Sequence, residues 1–204
     1  GASLRAIAVC LVLLLSLVVM ACSAPIAAQS TPPATTSSVP ASELNVFAAA
    51  SLTEAFREIG KAFEAANPGV KVTFNFAGSQ QLVQQIGQGA PADVFASAAT
   101  KNMDDAVKAG NVVDGAARTF ARNRLVAIVP QANPAGIKML ADLGKPGVRL
   151  VLAAKEVPVG QYALDFLDKA SKDATYGADY KDKTLKNVAS YEQNVRAVLS
   201  KVTL

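Results

Sequence analysis

Histidine is absent from the 204 residues, and only two cysteines occur. Without imidazole there is no Ser-His-Asp triad, no histidine metal ligand and no side chain that ordinarily titrates near neutrality. Cys10 lies inside an apolar run and Cys22 closes it, so residues 44–204 carry no cysteine. That part of the chain holds neither a disulfide nor a soft-metal site. Charged residues make up 18% of the chain, the net charge is +4, and the lysines are spread rather than bunched. Nucleic-acid binding would need a basic stripe with interleaved aromatics, and none is visible. Stability must come from an apolar core, and residues 44–204 suffice for one sizeable domain or two small lobes.

What is present begins with residues 6–21, a nearly unbroken apolar stretch behind Arg5. It is short for a membrane span and suits the apolar region of a secretion signal. Val19-Met20-Ala21-Cys22 resembles a bacterial lipobox, with an aliphatic residue three before the cysteine and a small one just before. The expectation is a signal peptide over 1–21, cleavage before Cys22 and lipidation of that residue. The alternative is an ordinary signal peptide with an incidental cysteine. Residues 23–42 are rich in Ser, Thr, Pro and Ala and cannot bury a core, so 22–43 is expected to form a tether.

Beyond it, strand and helix patterns alternate. Leu44–Ala50 reads as a buried strand, and 52–66 as an amphipathic helix stopped by Asn67-Pro68-Gly69. Val70–Phe76 alternates as a strand, Ser79–Gly87 is a short helix, Asp93–Ser97 a strand and Thr100–Ala109 a helix. This βαβαβα order predicts a mainly parallel sheet covered on both faces. Leu125–Val129 is expected to be a strand leading into a second lobe, followed by a helix at 139–143 and a strand at 148–153. A helix over 160–172, a strand over 185–189 and a helix over 191–202 complete the pattern.

Two of the strand-to-helix junctions carry a serine. Val46-Phe47-Ala48-Ala49-Ala50 runs into Ser51, and Phe74-Asn75-Phe76-Ala77-Gly78 runs into Ser79. A serine capping a helix offers its hydroxyl and nearby backbone N–H groups at the positive end of the helix dipole. Such a junction can hold an anion without any cation. Two of them, at neighbouring strand ends, suggest one anion held between them. Asp93 is expected to hydrogen-bond nearby backbone, and Arg122 and Arg124 to be solvated or paired with carboxylates.

Five stretches then share a resemblance: Val46-Phe47-Ala48-Ala49-Ala50-Ser51-Leu52-Thr53, Phe76-Ala77-Gly78-Ser79, Gly89-Ala90-Pro91-Ala92-Asp93-Val94-Phe95, Val157-Pro158-Val159-Gly160-Gln161-Tyr162-Ala163 and Asn194-Val195-Arg196. In order and spacing they resemble the periplasmic molybdate-binding proteins of ABC transporters. The resemblance implies an α/β, two-lobed, type II periplasmic binding-protein fold with mainly parallel sheets, helices on both faces and a ligand cleft between the lobes. Lobe 1 is expected over 44–121 and lobe 2 over 122–204, the latter incomplete because the segment returning to lobe 1 is missing. It implies an oxyanion, molybdate or tungstate, gripped by the hydroxyls of Ser51 and Ser79 and by the backbone N–H groups of Val159 and Val195. No cofactor and no metal cation is implied. The family's tyrosine ligand would lie beyond Leu204; Tyr162 and Tyr191 match other family positions. The implied partner is a membrane permease, and the implied form is a monomer, anchored by lipid outside the cell membrane, on the periplasmic side in a diderm.

The chemistry suits these residues. Burying an uncompensated ion costs tens of kcal/mol on idealised estimates, while each charge-assisted hydrogen bond returns roughly 1.5–3 kcal/mol. Several fixed donors can therefore bind a dianion and select it by size. Alternative readings are a receptor for sulfate or another tetrahedral oxyanion, an inert surface lipoprotein, and a serine hydrolase. The last is disfavoured by the missing histidine and the missing Gly-x-Ser-x-Gly turn.

Overall fold

The structure is a computed structural model that describes residues 42–203. The expected signal peptide, the lipidated Cys22 and nearly all of the tether lie outside these residues. The first strand, β1 (Ser42–Ala49), begins two residues inside the expected tether. It is the central strand of a three-stranded sheet, with β2 (Val70–Ala77) on one side and β3 (Val94–Ala96) on the other. Both pairings are parallel, Ser42 facing Val70 and Val46 facing Val94. A central parallel strand is covered on both faces, and burial rises along β1 until Val46–Ala49 are fully enclosed. Val46, Ala48 and Ala96 form the core, against which Leu44, Leu52, Phe56, Val72, Phe74 and Phe76 pack.

The connections are helical, as parallel pairing demands. A 3-10 turn (Ala50–Leu52) passes into α1 (Thr53–Ala66), α2 (Ser79–Gly87) joins β2 to β3, and α3 (Thr100–Lys108) follows β3. Asp93 bonds backbone, as expected, but that of the central strand: its Oδ2 accepts the Asn45 N–H at 2.7 Å.

The second half carries a two-stranded parallel sheet, β4 (Leu150–Ala153) beside β5 (Val188–Glu192), with a register shift between Leu150 and Val151. A second 3-10 turn (Leu140–Gly144) precedes β4, and α4 (Pro158–Ala170) follows it. The turn is knotted by Asp142, whose Oδ2 accepts the N–H groups of Lys138 and Met139 at 2.8 and 3.0 Å. The Lys145 ammonium, 2.7 Å from Oδ1, together with those N–H groups, holds this carboxyl at a pKa of about 2. Then come α5 (Tyr180–Lys186), β5 and α6 (Val195–Thr203).

Three expectations need correction. Leu125–Val129 is not a strand: between Lys108 and Leu140 no helix or strand forms, and residues 113–132 are exposed throughout. A strand exists only beside a partner that satisfies its N–H and C=O groups, and no described strand pairs with this segment. The strand expected at 185–189 is displaced to Val188–Glu192, because Leu185 belongs to α5. There Leu185 joins Phe166 and Tyr176 around the buried Leu167, Ala170 and Tyr180. Tyr191, expected to open the last helix, lies in β5, and that helix starts at Val195.

Candidate functional site

The four residues singled out share one topological position. Ser51 follows β1, Ser79 follows β2, Val159 follows β4 and Val195 follows β5, each within the turn or first helical residues after the strand. Parallel α/β sheets bind their ligands at the carboxyl ends of strands, where helix N-termini point their free N–H groups outward.

Neither serine is a helix cap. Ser51 sits in the 3-10 turn, and the capping position of α1 is occupied by Leu52, with no side-chain bond. It is exposed, and no hydrogen bond engages its hydroxyl among the described residues. Thr53, not Ser51, ties this turn down, its hydroxyl donating to the Ala50 carbonyl at 2.8 Å. At α2 the cap is Gly78, whose N–H donates to Gln81 Oε1 at 3.2 Å, and Ser79 is the first helical residue. Ser79 is only 1% exposed, and its Oγ accepts the Ala98 N–H at 2.9 Å. Accepting that bond leaves the hydroxyl proton to be donated elsewhere.

The second sheet supplies backbone donors. In α4, Pro158 takes the first helical position, where its missing N–H costs nothing. Val159 is thus the first residue of α4 with an N–H to give, and no acceptor in the described backbone takes it. The helix can sit this close to β4 because Gly160 has no side chain: a Cβ there would lie 2.1 Å from the Ala154 carbonyl oxygen. In α6, Asn194 is the cap, its Oδ1 accepting the Ala197 N–H at 3.0 Å. That cap leaves the Val195 N–H unclaimed.

Contacts bring most of these positions together. Gln80 Nε2, next to Ser79, donates to the Gln193 carbonyl at 3.1 Å. Arg196 Nη1, next to Val195, donates to Glu54 Oε1 at 2.5 Å, in the first turn of α1 after Ser51. The α6 helix packs against both the Ser51 turn and β4, and the Ala154 N–H bonds the Glu192 carbonyl at 2.9 Å. Ser51, Ser79 and Val195 therefore share one neighbourhood, and Val159 is joined to it through the paired ends of β4 and β5. The Arg196 guanidinium holds the Glu54 carboxyl below the usual carboxylate range. Tyr162 and Tyr191 are exposed, on α4 and β5, and Arg122 and Arg124 lie in the exposed connector.

Glu54, Gln80, Gln193 and Arg196 were not legible as site residues. Each lies within three residues of a donor position, but only the folded chain shows which pairs meet. Among the described residues no group of three or more His, Cys, Asp or Glu side chains could hold a metal ion.

Two parallel sheets whose strands are linked by helices give the fold of type II periplasmic binding proteins. A family model of bacterial extracellular solute-binding proteins matches residues 44–203, and the chain belongs to that family. The molybdate-binding protein ModA of Mycobacterium tuberculosis (strain ATCC 25618 / H37Rv) is 50% identical over 115 residues, 56% of this chain and 44% of the relative. A substrate-binding domain assigned to a molybdenum ABC transporter of Clostridium difficile is 32% identical at a TM-score of 0.53, covering 78% of this chain and 66% of that one. The sulfate-binding protein SubI of M. tuberculosis H37Rv superposes with a TM-score of 0.64 at 19% identity, over 78% of this chain and 60% of its own, a likeness of fold alone. The chain spans about half the length of the curated relatives it matches.

Proposed function

We propose that this chain is the anion-capturing part of an extracytoplasmic receptor for molybdate, and for tungstate of the same shape and charge, which passes its guest to an ABC permease. The observation that carries the reading is the repeated strand-to-helix junction. Four of them, two from each sheet, end in donors without formal charge, and three are drawn together by the Gln80–Gln193 and Glu54–Arg196 contacts. In this reading Ser51 and Ser79 donate through hydroxyls, and Val159 and Val195 through backbone N–H groups, to the oxygens of a dianion. Oriented dipoles replace a cation, so selectivity comes from the fixed radius of the donor set. The 50% identity to a molybdate-binding protein supports molybdate over other oxyanions. Lobe 1 at 44–121, lobe 2 at 122–204, a monomeric state and a lipid anchor at Cys22 belong to the same proposal.

Calorimetry on the full-length natural protein, titrated with molybdate, tungstate, sulfate and phosphate, tests it. Tight binding of the first two and weak binding of the others is expected. Tighter binding of sulfate than of molybdate would overturn the assignment in favour of a sulfate receptor.

A further inference from the structure

Two contacts cross from the first sheet's helices, one to the start of α6 and one to the residues just before it, and both flank donor positions. Arg196 and Glu54 meet at 2.5 Å although 142 residues separate them in the chain. The other is the bond from Gln80 Nε2 to the Gln193 carbonyl. Backbone meets backbone closely here: a Cβ at Gly78 would stand 2.7 Å from the Gln193 oxygen. This approach has a cost, since Gln80 Oε1 is buried without a hydrogen-bond partner. Water would satisfy that oxygen if the two segments parted, so the buried acceptor favours opening. The ion pair favours closure. Its side chains remain 47% and 67% exposed, which keeps it weak and open to screening by salt.

We propose that Glu54 and Arg196 are positioning residues that clasp the two lobes together and set the rate at which the bound anion leaves. The proposal rests on the oxyanion-receptor reading above. Neither side chain touches the guest; the pair acts by holding the Val195 end of α6 against the Ser51 turn. Engagement by Glu54 has a second effect, keeping the Arg196 guanidinium from serving as an unselective anion trap beside the donors. A weak, solvated clasp fits a receptor that must release its guest to a partner. A buried one would not let go.

The test combines stopped-flow release of molybdate with amide hydrogen exchange over residues 193–198 in the ligand-free state. Both are measured on the full-length protein and on its Glu54→Gln, Arg196→Gln, doubly neutralised and charge-swapped (Glu54→Arg with Arg196→Glu) variants. Each single neutralisation is expected to speed release about two- to fivefold and to raise exchange, as the loss of an exposed ion pair allows. The doubly neutralised variant should release no faster than either single one, and the swap should restore both readouts. Added salt should speed release from the parent but not from the doubly neutralised variant. Unchanged exchange in the single variants overturns the clasp, as does a swap that restores neither readout. Raised exchange with unchanged release overturns its hold on the guest. If the parent binds none of molybdate, tungstate, sulfate or phosphate, the receptor reading fails, and the exchange data alone decide whether the lobes are clasped.

Discussion

Ser79 is 1% exposed and accepts the Ala98 N–H, whereas Ser51 stands in solvent with its hydroxyl unengaged. The same substitution therefore does different things at the two positions. Ser79→Ala strands the Ala98 N–H in a part-buried site, and is expected to cost about 1–3 kcal/mol of stability in addition to weakening molybdate binding. Ser51→Ala should leave the melting temperature unchanged and weaken binding by about 1–3 kcal/mol, the value of a charge-assisted bond. Paired melting curves and calorimetry check this, and equal destabilisation by both substitutions would refute it. Both serines were legible from their place at the end of an apolar strand. That neither caps its helix was not, because capping depends on backbone angles: Gly78, at φ −62° and ψ 138°, takes the extended conformation of a cap, and Ser79 is already helical.

Among the elements, α4 depends most visibly on a single position. Gly160 lets the helix start directly over the end of β4, and a methyl group there would overlap two backbone carbonyls, those of Ala153 and Ala154. Gly160→Ala gains helix propensity, but overpacking against backbone that cannot rotate away is expected to cost about 2–3 kcal/mol. It should also weaken anion binding by moving the Val159 N–H. Denaturant unfolding beside molybdate titration would register both; a stabilised variant would show that the helix start can shift freely. The first sheet was readable throughout, because β1 and β2 pair over their full length and long elements carry strong periodicity. The short helix α5 escaped. The seven residues of α5 show their helical face only through Tyr180 and Thr184, buried four apart. Its apolar end, Leu185, reads with Val188 as the start of a strand that in fact begins at Val188.

At the scale of the whole molecule, acid is expected to lower stability. Glu54, Asp142, Asp173 and Asp179 all have pKa values lowered in the folded state: Glu54 by the Arg196 bond, Asp142 by Lys145 and backbone N–H groups, Asp173 by the Thr175 N–H, Asp179 by Lys183. A depressed folded pKa means that the unfolded chain binds more protons in the window between the two values. Stability from these groups is complete above the ordinary carboxylate range, and fades as pH falls from about 4 toward the Asp142 value of about 2. With no histidine in the chain, the melting temperature should stay level between pH 5 and 8. Asp142→Asn should flatten part of the acid decline, and a decline as steep as the parent's would remove Asp142 from this role.

The connector between α3 and the second 3-10 turn has a consequence for how such a chain is kept in solution. Leu125-Val126-Ala127-Ile128-Val129 is five uncharged residues in the open, three of them β-branched, a composition of the kind that seeds intermolecular β-zippers. Arg122 and Arg124 stand before it and Pro130 closes it, a repelling charge on one side and a missing ladder donor on the other. Flanked in this way the segment is expected to resist fibril growth, and Arg122→Ala with Arg124→Ala should shorten the lag of fibril formation followed by thioflavin fluorescence.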